Sequence, residues 1–283
     1  MKIARVFPRK TKASPDDELA FFDAPGLFPP EVDEVHVSVA FTYDLPKAEY
    51  LAKQWERVAP VKIGGPALGK PSGNFTPGMY LKKGYVITSR GCPNRCWFCS
   101  VPKRENGLHE LPITDGWNLL DDNLLACSDG HIRSVFAMLQ RQPVRPIFTG
   151  GLEARLLRAW HVELLREAKA QRMYFAYDTP DDYEPLVQAG KYLSEAGFPK
   201  DNHIARCYVL IGYKNDSFEK AENRLRQAWD AGFFPFAMLY HDKHGKCDLA
   251  WKQFQREWAR PKIVATKLKN EIMSCMSYYG LCE

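Results

Sequence analysis

A short run of β-branched and aromatic residues, then a turn, then an amphipathic helical stretch recurs six times from Tyr85 onward. This repetition limits the fold more than any other property of the chain. The runs are YVITS from Tyr85, WNLLDD from Trp117, PIFTGG from Pro146, MYFAYD from Met173, ARCYVLIGY from Ala205 and FPFAMLY from Phe234; their starts lie 32, 29, 27, 32 and 29 residues apart. About 30 residues is one strand with its crossover helix, so the strands are expected to be parallel. The stretches between and after them, HIRSVFAMLQR, ARLLRAWHVELLREAKA, YEPLVQAGKYLSEAG, FEKAENRLRQAWDAG and LAWKQFQREWAR, read as helices. Two of them end at Gly197 and Gly232, where a left-handed C-cap stops a helix. Right-handed crossovers wind such units into a barrel with helices outside. The expected fold class is therefore α/β, a partial, six-stranded β/α TIM-like barrel with its working face at the C-terminal ends of the strands.

Residues 1–78 follow another pattern. VHVSVAF, a helix from about Lys47 to Val58, and VKIGGPAL make one β-α-β unit, with IARVF as a strand before it. The Pro- and Gly-rich segment GGPALGKPSGNFTPG, Gly64 to Gly78, reads as a linker. The expected division is a small module over 1–78, the barrel over 79–260 and a C-terminal tail over 261–283.

A hydrophobic share of 45% and a charged share of 26% are those of a chain that folds throughout. The net charge of +5, from 39 basic and 34 acidic side chains, is too small and too scattered to indicate nucleic acid. MKIARVFPRKTK lacks the apolar core of a secretory signal, and no run reaches the roughly 18–20 apolar residues of a membrane span. A cytoplasmic location is expected. Eight cysteines in such a chain argue against a disulfide framework and for metal or catalytic use of any cluster among them.

One cluster exists. GCPNRCWFC places Cys92, Cys96 and Cys99 at C-x3-C-x2-C spacing directly after the first barrel strand, on the expected working face. A tetrahedral zinc site needs four ligands, for which Cys127 and His109 are the nearest further candidates. Three thiolates suit a four-iron cluster better, leaving one iron an open position for a small chelating molecule.

In this spacing, in Phe98 as the aromatic residue before the last cysteine, and in its place after a barrel strand, the chain resembles the radical S-adenosylmethionine (SAM) superfamily over about residues 80–260. The resemblance implies an enzyme in which Cys92, Cys96 and Cys99 hold a 4Fe–4S cluster. The reduced cluster cleaves SAM to methionine and a 5′-deoxyadenosyl radical that takes hydrogen from an unidentified substrate. An electron donor such as flavodoxin or ferredoxin is implied as a partner.

Further positions are carried over one at a time. Where the family often has Gly-Gly-Glu for the methionine amino group, this chain has Asp121, Asp122 and Asn123; a helix N-cap is the alternative. Gly150 and Gly151 let backbone approach a ligand, or simply turn the chain. Asp178 stands where a polar side chain meets the ribose in this family, or caps the helix starting near Asp181. Gly212, with Leu210 beside it, resembles the adenine-side glycine, or is a turn glycine. Tyr240 and His241 end the sixth strand and line the site, or serve structure alone.

VHVSVAFTYDLPKAEYLAKQWERVAPVKIGGPAL resembles about half of the Rossmann-like cobalamin-binding domain found before many such barrels. No D-x-H-x-x-G segment supplies a lower axial histidine, so this truncated module is read as a lid or scaffold rather than a cobalamin site. A cobalamin-dependent radical SAM methyltransferase and a non-enzymatic zinc or iron–sulfur protein stay open as alternatives. Cys247, Cys275 and Cys282 are spaced too loosely to specify a second cluster, and Cys127 and Cys207 read as small buried hydrophobes.

Overall fold

The computed structural model describes residues 1–69, 74–242 and 248–268, so Cys247, Cys275 and Cys282, and residues 70–73 of the linker, lie outside the described residues. The chain forms two compact units, Met1–Gly151 with Glu167–Lys169, and Leu152–Arg166 with Ala170–Asp242 and residues 248–268. Both are mixed α/β with parallel sheets.

The first unit opens with a four-stranded parallel sheet of order β2-β1-β3-β4, built from β1 (Ile3–Val6), β2 (Ala20–Phe21), β3 (Glu34–Ser38) and β4 (Val61–Gly64). Helix α1 (Leu45–Trp55) turns Ala48, Leu51, Ala52 and Trp55 inward. These positions, three to four residues apart, define one helical face. They close a core with Ala4, Val6, Val35, Val37 and Val39. A fully buried Val or Leu contributes about 1.5–3 kcal/mol, enough for this row to fix the helix on the sheet. The expected β-α-β unit is therefore present within a larger sheet. The extra strand β2 is two residues long, too short to leave a period in the sequence.

The segment after the linker is fastened to this sheet. Arg5 donates to the carbonyls of Gly78 (3.1 Å) and Met79 (3.3 Å), the Tyr80 hydroxyl and His36 Nδ1 lie 2.7 Å apart, and Lys82 N–H donates to Ala13 O at 2.9 Å.

Next come β5 (Tyr85–Val86) and β6 (Ser89–Arg90), the four-residue α2 (Val101–Arg104), and β7 (His109–Glu110), which pairs antiparallel with β6. β8 (Asn118–Leu119), α3 (Asp129–Gln140) and β9 (Ile147–Phe148) follow, with β8 parallel to both β5 and β9. These three parallel strands are shorter than the apolar runs suggest. After Val86 the chain leaves the sheet, because Thr88 and Ser89 turn to buried hydrogen bonds with Asp121 while β6 takes β7 as its partner.

In the second unit, α4 (Ala159–Glu167) begins later than its sequence suggests. His161 Nδ1 accepts the Arg158 N–H at 3.1 Å, Leu157 is extended, and residues 154–156 form a separate 3-10 turn. β10 (Arg172–Tyr177), β11 (Ala205–Ile211) and β12 (Phe234–Leu239) are parallel and adjacent in that order, joined through α5 (Tyr183–Glu195) and α6 (Phe218–Asp230) and followed by α7 (Leu249–Trp258). Ser217 caps α6 through the Lys220 N–H, and Asp248 caps α7 through the Ala250 N–H. All six predicted strands thus exist, three in each unit, parallel within it. No helix among the described residues is long and apolar enough to cross a membrane.

Candidate functional site

The cysteine loop runs from β6 to α2, and three consecutive residues after β8 hold it. Asp121, only 1% exposed, accepts the Thr88 N–H (2.8 Å) and hydroxyl (2.6 Å) and the Ser89 hydroxyl (2.7 Å). Asp122 accepts the Gly91 N–H at 2.9 Å and pairs with the Arg104 guanidinium. Asn123 donates through Nδ2 to Cys92 Sγ at 3.3 Å. Successive side chains of 121–123 therefore grip successive points of the segment 88–92. The helix-cap alternative is not what they serve: α3 is capped by Ser128, and Asn123, at the head of a 3-10 turn, makes no side-chain cap bond.

Burial pushes the Asp121 carboxyl up, and its three donors pull it back. A buried carboxylate without them would cost several kcal/mol, at the scale of about 1–3 kcal/mol per unmet group. On the loop's far side the Arg104 Nε lies 3.5 Å from the buried Glu105 carboxylate. Sequence reasoning passed over Thr88, Ser89, Arg104 and Glu105, whose partners lie 18–33 residues away in all cases but one.

Within the loop, Cys92 and Cys99 are half-buried and Cys96 is exposed. Cys92 Sγ also accepts the Asn94 N–H (3.4 Å), Cys99 Sγ accepts the Val101 N–H (3.4 Å), and Cys99 N–H closes a turn onto Cys96 O (3.1 Å). Burial raises the Cys99 thiol, the Val101 N–H opposes it, and the Cys92 sulfur adds to the rise. Phe98 packs edge-on against Trp97, centroids 5.3 Å apart. Among the described residues no three His, Cys, Asp or Glu side chains are gathered closely enough to hold a metal ion. The fit to a cluster therefore rests on donor chemistry: three cysteines outside any disulfide in one anchored loop, with Cys92 and Cys99 accepting N–H···S bonds of the kind that tune thiolate-held iron. Of the further zinc candidates, His109 is exposed on β7, and Cys127 is 7% exposed with its thiol pushed up to about 11 by burial. Cys207 is fully buried in β11.

Gly150 lies over the same turn. A Cβ there would fall 2.2 Å from Asp121 O, so the backbone of the third strand end approaches the second as only glycine permits. Gly151 follows with φ +106°.

In the second unit, Asp178 follows β10 and accepts the Leu210 N–H of β11 at 3.1 Å. It does not cap the next helix, because Thr179 and Asp182 form that capping box. Gly212 donates its N–H to Asp216 (2.8 Å), which also pairs with Arg224 (2.9 Å); Tyr240 N–H donates to Ile211 O (2.9 Å). Burial lifts the Asp178 carboxyl to about 7. Its folded pKa thus lies above its unfolded value, so the protonated form favours the fold and this contribution is lost as pH rises through about 7. Asp178→Asn keeps an acceptor for Leu210 without the charge. It is expected to raise the melting temperature at pH 8, by on the order of a few kcal/mol of stability, with the gain shrinking toward pH 5. Melts of both proteins across this range check it; a gain that does not shrink toward pH 5 refutes the assignment.

No protein-family model matches the chain. It is similar to the ribosomal protein uS12 methylthiotransferase RimO of Brucella anthropi, 26% identical over 216 residues that cover 72% of this chain and 47% of that protein. RimO of Brucella canis is 26% identical over 165 residues, 55% of this chain and 36% of that protein. The chain thus spans less than half the length of these curated relatives. RimO is a radical SAM methylthiotransferase, and this distant likeness supports the superfamily already suggested by the cysteine spacing.

Proposed function

We propose that the chain is a radical SAM enzyme in which Cys92, Cys96 and Cys99 hold a 4Fe–4S cluster with SAM beside it. The observation that carries this reading is the anchored loop with its three cysteines outside any disulfide, a donor set one short of the four that zinc takes. When bound and reduced, such a cluster supplies the electron that splits SAM into methionine and a 5′-deoxyadenosyl radical.

The chain's own residues position and shield. Asp121 acts from inside the fold as a positioning residue, since it is buried and fully engaged with Thr88 and Ser89. Asn123 and the N–H groups of Asn94 and Val101 bond to the sulfurs, which steadies thiolate charge. Phe98, Asp122, Asn123, Gly150 and Gly151 in the first unit, and Asp178, Leu210, Gly212 and Tyr240 in the second, are the proposed SAM contacts. The partial β/α barrel, a scaffolding role for residues 1–78, and flavodoxin or ferredoxin as electron donor belong to the same reading. Methylthio transfer, the activity in the relatives' name, is the narrower form of it; the substrate is a separate question.

Anaerobic reconstitution is expected to load about four irons per chain, and dithionite with SAM to yield 5′-deoxyadenosine. Stoichiometric zinc without iron would replace this reading with a structural site. Iron without SAM cleavage would leave an electron carrier, and S-adenosylhomocysteine with retained cobalamin would favour the cobalamin-dependent methyltransferase.

A further inference from the structure

One face of the second unit's sheet carries an aromatic floor beside two guanidinium groups. Along β11, Ala205, Cys207, Val209 and Ile211 are buried while Arg206, Tyr208 and Leu210 are half-exposed, the alternation of a strand with one face packed on helices and the other turned away. Strand register aligns Tyr174, Arg206 and Phe234 in one row, then Ala176, Tyr208 and Phe236 in the next. Leu210 and Met238 stand side by side beyond them, with Asp178 bonded to the Leu210 N–H.

The rings of Tyr174 and Tyr208 stack at 4.6 Å and 7°, and Phe236 meets Tyr208 edge-on at 5.7 Å. Ala176 is exposed beside them, and Met238 is 40% exposed. The floor therefore has a gap where the smallest side chain sits among large ones. At its other side the Arg206 guanidinium lies over the Tyr174 ring (5.9 Å) and the Phe234 ring (6.0 Å), steered by a 3.1 Å bond from Nε to His203 O. Among the described residues neither Arg206 nor Arg172 is ion-paired with a carboxylate. Burial depresses the Arg206 pKa, and the like charge of Arg172 depresses it further. Two half-buried guanidinium groups on one face of the sheet, with no carboxylate paired to either among the described residues, favour an anion from outside.

We propose that this face binds a flat aromatic ring bearing a carboxylate or phosphate, with the ring over Ala176 against Tyr208 and Phe236 and the anion at Arg206 and Arg172. The binding face lies at the N-terminal half of these strands and stands on these observations alone, independent of the function proposed above. Stacking on aromatic side chains is sequence- and substituent-tolerant, so the anion and the gap at Ala176 supply the selection.

The full chain, without reconstitution, is titrated with 1-naphthyl phosphate and with 1-naphthoate, read by their fluorescence anisotropy. Saturable binding of either probe is expected, and the tighter of the two identifies phosphate or carboxylate as the anion. Arg206→Gln keeps hydrogen-bonding reach but not charge, and Ala176→Phe fills the gap; each is expected to weaken binding about tenfold or more. Tyr208→Leu keeps apolar bulk and tests stacking alone, with a smaller loss. Circular dichroism establishes that each variant is folded. Failure of folded wild type to bind either probe, or binding unchanged in both Arg206→Gln and Ala176→Phe, overturns the proposal. Iron content and 5′-deoxyadenosine report separately on the function proposed above, and their failure leaves the binding face standing.

Discussion

Replacing any one of Cys92, Cys96 or Cys99 by alanine is expected to abolish stable iron loading and to cut 5′-deoxyadenosine formation by more than about a hundredfold. That exceeds the 10–100-fold typical of losing a group that only supports a ligand. The physical reason is count: a cluster held by three thiolates has no spare protein ligand, and no fourth cysteine stands in the loop to replace one. Asn123→Ala removes one N–H···S bond to Cys92 and is expected to fall within the lesser range. Cys127→Ala and Cys207→Ala are the controls. Both side chains are buried, so their loss costs a small cavity and stability on the order of 1 kcal/mol while leaving iron unchanged. The loop cysteines are half-buried or exposed, so their variants should melt close to wild type. Iron per chain, product yield and melting temperature together separate ligand from core residue. Full iron loading in all three loop variants would remove the cluster from this site.

The strands of the two units were legible in the sequence to different depths. β10, β11 and β12 are six or seven residues long, alternate in burial strictly in β10 and β11 and over most of β12, and are followed by amphipathic helices, so the strand–helix repeat located them. β5, β8 and β9 were located but not measured, since YVITS, WNLLDD and PIFTGG continue to look β-like past the point where pairing stops. Pairing stops there for a polar reason. Thr88, Ser89 and Asp121 satisfy one another in the interior, and a hydrogen bond between residues 32 or 33 apart leaves no periodic trace.

The candidate site divides in the same way. Cys92, Cys96 and Cys99 were legible because their ligand chemistry requires short spacing on one loop. Asp121, Asp122 and Asn123 were singled out as a polar strand end, but their grip on residues 88–92 was not readable, because cap, cofactor contact and clamp all place acidic and amide side chains at such an end. Arg104 could have been suspected from its position at the end of the short helix after the last cysteine. Its partner could not have been named, since Asp122 and Glu105 lie on different segments and both are in reach.

Gly91→Ala is expected to be the most damaging substitution in the loop that leaves every cysteine in place. Gly91 has φ +83°, where a side chain costs about 1–2 kcal/mol from its own backbone. The larger cost is external: an added Cβ would fall 1.8 Å from the carbonyl oxygen of Gly107 and 2.6 Å from its carbonyl carbon. These are backbone atoms, so no rotamer change relieves the overlap and the β6–β7 ribbon must part. The Gly91 N–H then leaves Asp122, and Cys92, the next residue, is drawn from Asn123. We expect a loss above about 3 kcal/mol, the scale of strain plus a broken buried hydrogen-bond network, with iron loading falling as in the cysteine variants. Gly107→Ala supplies the comparison. Its φ of +80° is nearly the same, yet a Cβ there meets nothing within 4 Å, so only the local cost of about 1–2 kcal/mol applies and iron loading should persist. Thermal melts and iron content of the two variants separate local strain from the close approach of the two strands. Equal and small losses in both would mean that the ribbon yields easily, and that the grip of residues 121–123, rather than the ribbon, sets the position of Cys92.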